Sequence, residues 1–249
     1  MTPTLEVFSA ADWADRVASL LADRIASAPA LRLCLPTGST PLPVYERLPA
    51  ALHERGVSMA HATVVLLDEY VGLPDGHPAR CDSMLRRTLI DRLDPTPTFI
   101  RFEVDELDPA AACAALAARL DAIGGLDLVV LGLGTNGHLG MNEPGSAAAS
   151  TTRPVDLAPE TVWAARGYGA DPPPTRGVTL GVGPILSSPE AWLLATGERK
   201  VAVLRRALED PIGPDCPASY LRLHPNARIL ADEAAAPQTD VPTAGWHSK

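Results

Sequence analysis

Residues able to carry out chemistry are concentrated in a few short segments, and the richest is residues 132–145, GLGTNGHLGMNEPG. Glycines surround His138, with Asn136 two positions before it and Glu143 five positions after it. An imidazole beside a carboxylate can carry protons near neutral pH, with the carboxylate orienting the ring. A solitary histidine is usually structural, but this glycine-dense setting favours a functional one. We therefore expect these three side chains to act together in catalysis.

A pair of adjacent carboxylates, Asp68 and Glu69, closes a strongly apolar run. Buried carboxylates are costly unless they are used or paired. Repulsion between neighbours also raises a carboxyl pKa towards the range that suits a general base. The alternative is a helix-capping Asp beside a solvated Glu. We expect the pair to include a general base.

A third segment, TGSTP at residues 37–41, is suited to binding an anion. Gly38 permits unusual backbone angles, Ser39 and Thr40 can cap a following helix, and Pro41 suits its first turn. The free N–H groups of a helix N-terminus bind phosphate. An ordinary capped turn is the alternative, because the segment is neither a Walker loop nor a GxGxxG fingerprint.

Three cations could complete such an anion site. Lys200 follows another apolar run, and Arg166 stands in the glycine-containing stretch AARGYG. A guanidinium can bind phosphate through two parallel hydrogen bonds. Arg153 could serve the same purpose. For each of them the alternative is a solvated surface charge.

These segments need a fold to position them, and the chain alternates short apolar runs with amphipathic stretches. Several runs are apolar on both alternating faces, as in a parallel sheet covered on both sides by helices. The predicted strands are residues 31–35, 62–68, 98–102, 126–134, 177–183, 191–196 and 227–230. The predicted helices are residues 11–27, 42–55, 83–93, 109–123 and 199–209.

This alternation predicts an α/β fold, a doubly wound, mostly parallel and Rossmann-like sheet with helices on both faces. Ligands of such sheets bind beyond the carboxyl ends of the strands, where the three segments fall. We expect a single catalytic domain over residues 1–249, a turn at the proline-rich residues 170–177 and a frayed tail at residues 237–249.

Composition excludes several classes of protein. A hydrophobic fraction of 46% and a charged fraction of 20% are ordinary for a globular protein, and the net charge of −9 argues against nucleic-acid binding. No apolar run approaches the roughly 20 residues of a membrane span. The first residues, MTPTLEVFSAADWADR, lack the basic start of a signal peptide, so we expect a cytoplasmic protein. The scattered cysteines predict reduced thiols, without disulfide or metal.

Several strings resemble the glucosamine-6-phosphate deaminases in order and spacing. They extend from about residue 31 to residue 232, and they are LPTGSTPLPVYERL, LLDEYVGLP, LGLGTNGHLGMNEPGS, TLGVGPIL, TGERKVAVL and LHPNARILAD. The resemblance implies conversion of glucosamine 6-phosphate to fructose 6-phosphate and ammonia, without a metal or an organic cofactor.

The resemblance also implies a role for each matching residue. Asp68 is the implied base at C2 of the opened sugar, and His138, supported by Glu143 and Asn136, is the implied group for ring opening. The implied phosphate-binding residues are Gly38, Ser39, Thr40, Arg166 and Lys200.

Other functions stay open at this level. The related 6-phosphogluconolactonases share the GSTP turn and the histidine loop, but their sequence after the histidine resembles TASLFP, so Asn142, Glu143 and Pro144 favour deamination. A weakly catalytic sugar-phosphate sensor, or an isomerase of a related sugar phosphate, is a third reading. It draws support from Asn136, where the best-known relatives have Asp, and from AARGYG, where relatives often have two aromatic residues after the arginine. Oligomeric state, sugar epimer and direction of reaction are not determined by the sequence.

Overall fold

Strands and helices alternate along most of the chain in this computed structural model, which describes residues 2–104 and 108–237. The strands are β1 (Thr4–Phe8), β2 (Arg32–Leu35), β3 (Thr63–Leu66), β4 (Asp68–Tyr70), β5 (Thr98–Ile100), β6 (Leu128–Gly132), β7 (Arg153–Asp156), β8 (Arg176–Thr179), β9 (Glu190–Ala195) and β10 (Ala227–Asp232). The helices are α1 (Trp13–Ser27), α2 (Leu42–Glu54), α3 (Cys81–Thr88), α4 (Pro109–Ala122), α5 (Pro159–Gly167), α6 (Val182–Leu186) and α7 (Val201–Glu209). Short 3-10 helices cover Ile90–Arg92, Glu198–Lys200 and Pro217–Leu223.

A seven-stranded sheet, parallel throughout, forms the centre of the fold in the order β1-β10-β9-β6-β2-β3-β5. The chain moves outward from β2 to β3 and β5, then returns to β6 and moves the opposite way to β9 and β10. Because parallel crossovers are right-handed, this reversal places the connecting helices on opposite faces of the sheet. The predicted doubly wound α/β fold is therefore confirmed.

Apolar runs form the inner strands because both of their faces are covered. Residues 64–66 of β3 and 128–131 of β6 are fully buried at every position. Helix α1 contributes Val17, Leu21 and Ile25, which are also fully buried and share one helix face at four-residue spacing. The buried apolar side chains join in one continuous core.

The strand order reverses between β2 and β6, which pair side by side. In open parallel sheets the crevice beyond this switch point is where ligands bind. The turn after β2 is the predicted anion-binding segment, and the loop after β6 is the predicted histidine loop. The fold thus brings the two segments to the same edge of the sheet.

A second, smaller sheet has the order β4-β8-β7 and is antiparallel. Two strand predictions therefore need correction. The run at 62–68 divides at Leu67, whose N–H donates to Leu35 in the main sheet at 3.2 Å and whose carbonyl accepts from Leu180 at 2.9 Å. The run at 177–183 is β8 of the small sheet followed by α6, because its pairing partners are β4 and β7.

Other differences concern short or edge elements. Strand β1 lies at an edge of the main sheet and is half exposed, so it lacks the apolar run of an inner strand. Strand β7 and helix α5 were not predicted either. The five predicted helices are present, although α3 ends at Thr88 and not near residue 93. Of the turn predicted at residues 170–177, residues 170–175 lie outside helices and strands, whereas residues 176 and 177 already belong to β8.

Among the described residues, no helix is both long enough and apolar enough to cross a membrane. The predicted frayed tail falls, except for Pro237, on residues outside the described part of the chain. The single catalytic domain stays a prediction.

Candidate active site

An open cleft of about 1220 Å³ lies beyond the carboxyl ends of the main-sheet strands. Its walls come from the turn after β2, the loop after β6, the turn after β9 and helix α5. The predicted site residues that line it are Gly38, Ser39, Thr40, Asp68, His138 and Lys200. Segments distant in the sequence thus meet where the switch point of the sheet would place a ligand.

The turn after β2 depends on a glycine and two tyrosines. Gly38 has φ of +115°, a region that favours glycine. The Tyr45 hydroxyl donates to the Pro36 carbonyl at 2.7 Å. A Cβ atom on Gly38 would lie 3.3 Å from the Tyr168 hydroxyl, which also hydrogen-bonds with Ser39. Burial raises the pKa of Tyr168, so this hydroxyl stays a neutral donor beside the turn.

Helix α2 starts at Leu42, with Pro41 at its N-cap and no capping hydrogen bond from that side chain. The expectation that Ser39 or Thr40 caps the helix is therefore not met. Both residues line the cleft instead. Their hydroxyls lie beside the N-terminus of a 13-residue helix, whose free N–H groups and dipole favour an anion.

Asp68 begins β4 and is only 8% exposed at the wall of the cleft. Burial raises its pKa to about 6, while the charge of His138 and a hydrogen bond from Cys81 oppose the rise and the charge of Glu143 adds to it. A Cβ atom on Gly140 would lie 3.1 Å from Oδ2 of Asp68, so the glycine lets the loop approach the carboxyl group. A buried carboxyl with this pKa suits a general base.

Glu69 does not line the cleft and is fully buried. Its carboxylate accepts three backbone N–H groups at 2.7 to 2.9 Å, two of them from the first turn of α3. Burial raises its pKa, and the helix N–H groups with Arg80, 3.6 Å away, oppose the rise. Glu69 thus anchors α3 to β4. The expected repulsion between the two carboxylates is not what raises the pKa of Asp68, because burial is the largest cause.

The loop after β6 closes on itself around His138. The Gly134 N–H donates to the His138 carbonyl, and the Gly137 N–H donates to the Gly134 carbonyl, both at 3.0 Å. A Cβ atom on Gly134 would lie 2.3 to 2.4 Å from three atoms of the imidazole. Only glycine at this position leaves room for the ring, which explains part of the glycine density.

Glu143 binds the ring and is itself held on several sides. Its Oε2 atom lies 3.2 Å from Nδ1 of His138 and accepts from Nδ2 of Asn136 at 2.9 Å. Its Oε1 atom accepts from the Thr161 hydroxyl at 2.5 Å and from the Ala158 N–H at 3.2 Å. Because a carboxylate only accepts, Nδ1 carries the hydrogen, and Nε2 is the ring atom left for a ligand.

These contacts keep Glu143 ionised. Burial by itself would raise its pKa, but hydrogen bonding and charge from His138, followed by hydrogen bonds from Thr161 and Asn136, lower it to about 2. The predicted group of His138, Asn136 and Glu143 is therefore present as one hydrogen-bonded unit. A negative charge at Glu143 can stabilise a positively charged imidazole during proton transfer.

Asn142 and Arg153 lie behind this unit and hold its loop. The buried Asn142 amide donates to the carbonyls of Leu139 at 2.9 Å and Leu180 at 2.8 Å, and accepts from Arg153 at 2.8 Å. Arg153 also donates to the Ser146 hydroxyl at 2.9 Å. The suggestion that Arg153 binds an anion in the cleft is therefore corrected, since its guanidinium supports the loop.

Helix α5 forms one side of the cleft. The residues of this helix that line the cleft are Pro159, Glu160, Thr161, Trp163 and Ala164. Arg166 follows the cleft-lining Trp163 by three residues, about one turn of a helix. Its side chain is exposed and is not part of the lining of the cleft, so its role in binding phosphate stays a prediction.

Lys200 lines the cleft from the turn after β9, as predicted. Its Nζ atom donates to the Leu133 carbonyl at 2.5 Å, which holds the ammonium group at the start of the histidine loop. Burial lowers the pKa of Lys200.

Sequence reasoning did not identify several residues of the cleft, among them Cys81, Thr161, Trp163 and Tyr168. Tyr168 stands inside the AARGYG stretch, in which only the arginine was predicted to bind a ligand. The other three gave no signal, because their position depends on where α3 and α5 pack.

Comparison with known proteins agrees with this geometry. Residues 7–230 match the family model described as glucosamine-6-phosphate isomerases/6-phosphogluconolactonase. A glucosamine-6-phosphate deaminase of Pseudarthrobacter chlorophenolicus is 45% identical over 82% of this chain and 80% of its own. Another, from Streptomyces coelicolor, is 42% identical over 88% of this chain and 86% of its own.

Solved structures show the same fold. A monomeric glucosamine-6-phosphate deaminase superposes with a TM-score of 0.86 and 32% identity, covering 93% of this chain and 98% of its own. A 6-phosphogluconolactonase of Thermotoga maritima superposes with a TM-score of 0.76 at 19% identity, over 93% of this chain and all of its own. The matched length and the identity to the deaminases establish that this chain belongs to the glucosamine-6-phosphate isomerase/6-phosphogluconolactonase family.

Proposed function

We propose that this protein converts glucosamine 6-phosphate and water into fructose 6-phosphate and ammonia. The observation that carries the proposal is the meeting in one cleft of the buried Asp68 carboxyl and the hydrogen-bonded pair of His138 and Glu143. Asp68 can move a proton from one carbon atom to the next, and the pair of His138 and Glu143 can move a proton between two oxygen atoms. Relatives of 39 to 45% identity that carry the name glucosamine-6-phosphate deaminase support it.

Substrate binding begins with the phosphate. Gly38, Ser39 and Thr40 offer backbone N–H groups and hydroxyls at the start of α2, and Lys200 offers a positive charge from the opposite turn. Holding the phosphate away from the reacting carbons orients C1 and C2 towards the acid–base groups, which lowers the entropic part of the barrier.

Ring opening is the role of His138. Its Nε2 atom accepts the proton of the C1 hydroxyl and delivers it to the ring oxygen as the C1–O5 bond breaks. The imidazole is positively charged between these two transfers. Glu143, with a pKa of about 2, stays ionised beside Nδ1 and stabilises that charge, while Asn136 and Thr161 keep its carboxylate in place.

Isomerisation is the role of Asp68. Its carboxylate removes the C2 proton of the open aldehyde, the electrons of the C–H bond form a C1–C2 double bond, and the carbonyl oxygen takes a proton from water. The product is an enolamine. Asp68 then returns the proton to C1, while the nitrogen lone pair forms a double bond to C2. A carboxyl with a raised pKa can both take and return this proton near neutral pH.

Deamination completes the reaction. Water adds to C2 of the resulting imine, and the carbon–nitrogen bond breaks to release ammonia and leave the C2 carbonyl of fructose 6-phosphate. One water is consumed and one ammonia is formed, with no net oxidation or reduction. We also propose a cytoplasmic location, which the four unpaired, buried thiols support because such thiols suit a reducing compartment.

The test is to follow ammonia and fructose 6-phosphate from glucosamine 6-phosphate with the parent protein, Asp68→Asn and a control, Asp156→Asn. Asp156 is almost fully exposed on β7. We expect equal amounts of the two products, a loss of about 10² to 10⁴ in kcat for Asp68→Asn, and a nearly unchanged control.

Two results would contradict the proposal. Hydrolysis of 6-phosphogluconolactone without ammonia from the amino sugar would make the protein a lactonase. Full turnover by Asp68→Asn would remove Asp68 from the role of base, whatever the substrate.

A further inference from the structure

We propose that Cys81 is a positioning residue for Asp68, and that its thiol holds the carboxylate of that residue through a hydrogen bond. The proposal rests on the proposed function for the role of Asp68 as the base. Cys81 is the first residue of α3, and its side chain is buried in the wall of the cleft. Removal of a proton from carbon requires a base in one orientation, because a small misplacement of the base slows the reaction strongly.

Cys81 is bonded to both members of the adjacent carboxylate pair. Its thiol hydrogen-bonds with the carboxylate of Asp68, and its backbone N–H group donates to Oε1 of Glu69 at 2.9 Å. Asp68 and Glu69 are consecutive residues of β4, so α3 contacts one strand through a side chain and through its backbone. A shift of the Cys81 backbone away from Asp68 would therefore also break the bond that ties α3 to β4.

A buried ion cluster keeps the start of α3 in this position. Arg80 precedes Cys81 and is fully buried. Its Nε atom lies 3.6 Å from Oε2 of Glu69 and donates to Oδ1 of Asp82 at 3.1 Å. The Asp82 N–H group donates to Oε2 of Glu69 at 2.9 Å, and Arg101 donates to Oδ2 of Asp82 at 2.6 Å. The residues on both sides of Cys81 are thus fixed through Glu69, and so is the backbone that carries the thiol.

The thiol is the donor in its bond with Asp68. Burial raises the pKa of Cys81 well above its ordinary value, and the charges of Glu69 and Asp68 add to the rise, so the sulfur keeps its hydrogen at neutral pH. An ionised carboxylate can only accept. The sulfur also hydrogen-bonds with the side chain of Thr37, whose hydroxyl is then the donor. Because Thr37 belongs to the turn after β2, the thiol connects this turn with the base.

Other titratable groups of the described residues face Asp68 from several elements. They are Cys34 on β2, Tyr45 on α2, Tyr70 on β4, His138 and Glu143 in the loop after β6, and Tyr168 after α5. Burial raises the pKa of the cysteine and of the three tyrosines, so these groups stay neutral near pH 7. The charge of His138 favours the ionised carboxylate, and the charge of Glu143 opposes it. Among these neighbours, Cys81 is the one that favours the ionised form through a hydrogen bond.

The test compares three variants of Cys81 with one control. Cys81→Ala and Cys81→Val remove the donor, and valine also fills the space of the sulfur, so an effect of volume can be told apart from an effect of the donor. Cys81→Ser keeps a donor on a side chain of similar size. Cys113→Ala is the matched control, because Cys113 is also buried but lies on α4, outside the cleft lining.

The first measurement is kcat/KM for glucosamine 6-phosphate between pH 5 and 9. Without the donor, the ionised form of Asp68 loses stabilisation and its pKa rises. We therefore expect the acidic limb to move to higher pH by about 0.5 to 1 pH unit in Cys81→Ala and Cys81→Val. The limbs of Cys81→Ser and Cys113→Ala should coincide with that of the parent. Titration of the substrate phosphate is common to all of these proteins, so it does not affect the comparison.

The second measurement is kcat at pH 8, where the carboxyl group of Asp68 is ionised in every variant. We expect a loss of about tenfold in Cys81→Ala and Cys81→Val, because the base is no longer held in one orientation. The Kd of glucitol 6-phosphate should not change, since the thiol acts on the base and not on the sugar. Cys81→Ser should recover most of the lost kcat.

An unchanged acidic limb in Cys81→Ala and Cys81→Val would overturn the proposal, as would a limb in Cys81→Ser that moves as far as theirs. NMR titration of ¹³C-labelled aspartate carboxyl groups, with Asp68 assigned from Asp68→Asn, gives the pKa of Asp68 without turnover. A higher pKa in Cys81→Ala, in a protein that releases no ammonia, would support the contact and reject only the proposed reaction. An unchanged pKa would overturn the contact whatever the reaction.

Discussion

The Oε2 atom of Glu143 accepts from Nδ2 of Asn136 at 2.9 Å and lies 3.2 Å from Nδ1 of His138, so an amide and an imidazole share one carboxylate oxygen. The amide donates where an aspartate would add a second negative charge. The residue at 136 therefore sets how much negative charge surrounds the imidazole.

Asn136→Asp should move the acidic limb of the kcat/KM profile to higher pH. The new carboxylate would lie against Glu143, and the added negative charge would stabilise the protonated imidazole, which cannot act as a base. The measurement is kcat/KM for glucosamine 6-phosphate between pH 5 and 9. Asn226→Asp, at an exposed loop position, should leave the limb in place. A superimposable profile for Asn136→Asp would reject the idea.

The parent enzyme should itself lose kcat/KM about tenfold per pH unit below about pH 6. Burial raises the pKa of Asp68 to about 6, and only the ionised carboxyl can remove a proton from carbon. A phosphate monoester also titrates near pH 6, so the inhibition constant of glucitol 6-phosphate must be followed in parallel. If inhibitor binding accounts for the whole loss, or if the limb lies near pH 4, Asp68 is not the titrating base.

Asp68→Asn should be more stable than the parent at pH 7.5. The folded pKa of Asp68 is about 6, against an ordinary value of 3.8, so folding takes up a proton between these values. The carboxyl therefore reduces stability progressively as pH rises from about 4 to 6, and fully above 6, by up to about 3 kcal/mol. The neutral amide removes that cost.

Urea unfolding of both proteins at pH 7.5 and pH 4.5 checks this expectation. We expect Asp68→Asn to gain about 1 to 3 kcal/mol in free energy of unfolding at pH 7.5, and most of the gain to disappear at pH 4.5. A variant less stable than its parent at pH 7.5 would contradict the assigned pKa.

Gly134→Ala should reduce kcat more than it reduces binding. Its Cβ atom would lie 2.3 to 2.4 Å from the imidazole of His138, so the ring must move away from its position in the cleft. We expect kcat to fall at least tenfold and the free energy of unfolding to fall by about 1 to 3 kcal/mol. Gly213→Ala, where a Cβ atom meets nothing within 4 Å, is the matched control. Equal kcat for the two variants would show that the ring tolerates the methyl group.

The parallel sheet and the turns at its strand ends could be predicted, because apolar runs such as residues 128–131 are stable only where both of their faces are buried. The same reasoning located the GSTP turn and the histidine loop. The role of Asp68 was suggested by the resemblance to known deaminases, and the pKa of its carboxyl depends on burial that only the folded chain provides. Gly38 and Lys200, the candidates for phosphate binding, lie in the cleft because each of them follows a predicted strand of the parallel sheet.

The remaining features depend on tertiary contacts. The small sheet consists of strands of three or four residues that carry no periodic signal, so its pairing could not be read from the sequence. Arg166 is exposed and outside the cleft lining, although Trp163, one helical turn before it, is part of that lining. Asn142, which is buried, and Arg153, which is partly exposed, resembled site residues but support the loop from behind. Polar residues that support a site cannot be distinguished by residue type from polar residues that form it.

Leu67 hydrogen-bonds to the main sheet through its N–H group and to the small sheet through its carbonyl, and Asp68 follows it directly. Strand β7 of the small sheet runs almost without a break into α5, the wall that faces the sugar. Strand β7 pairs with β8, and β8 pairs with β4, so backbone hydrogen bonds connect the start of that wall to Asp68. The same antiparallel pairing therefore fixes the position of the Asp68 carboxyl group and the position of the wall beside it.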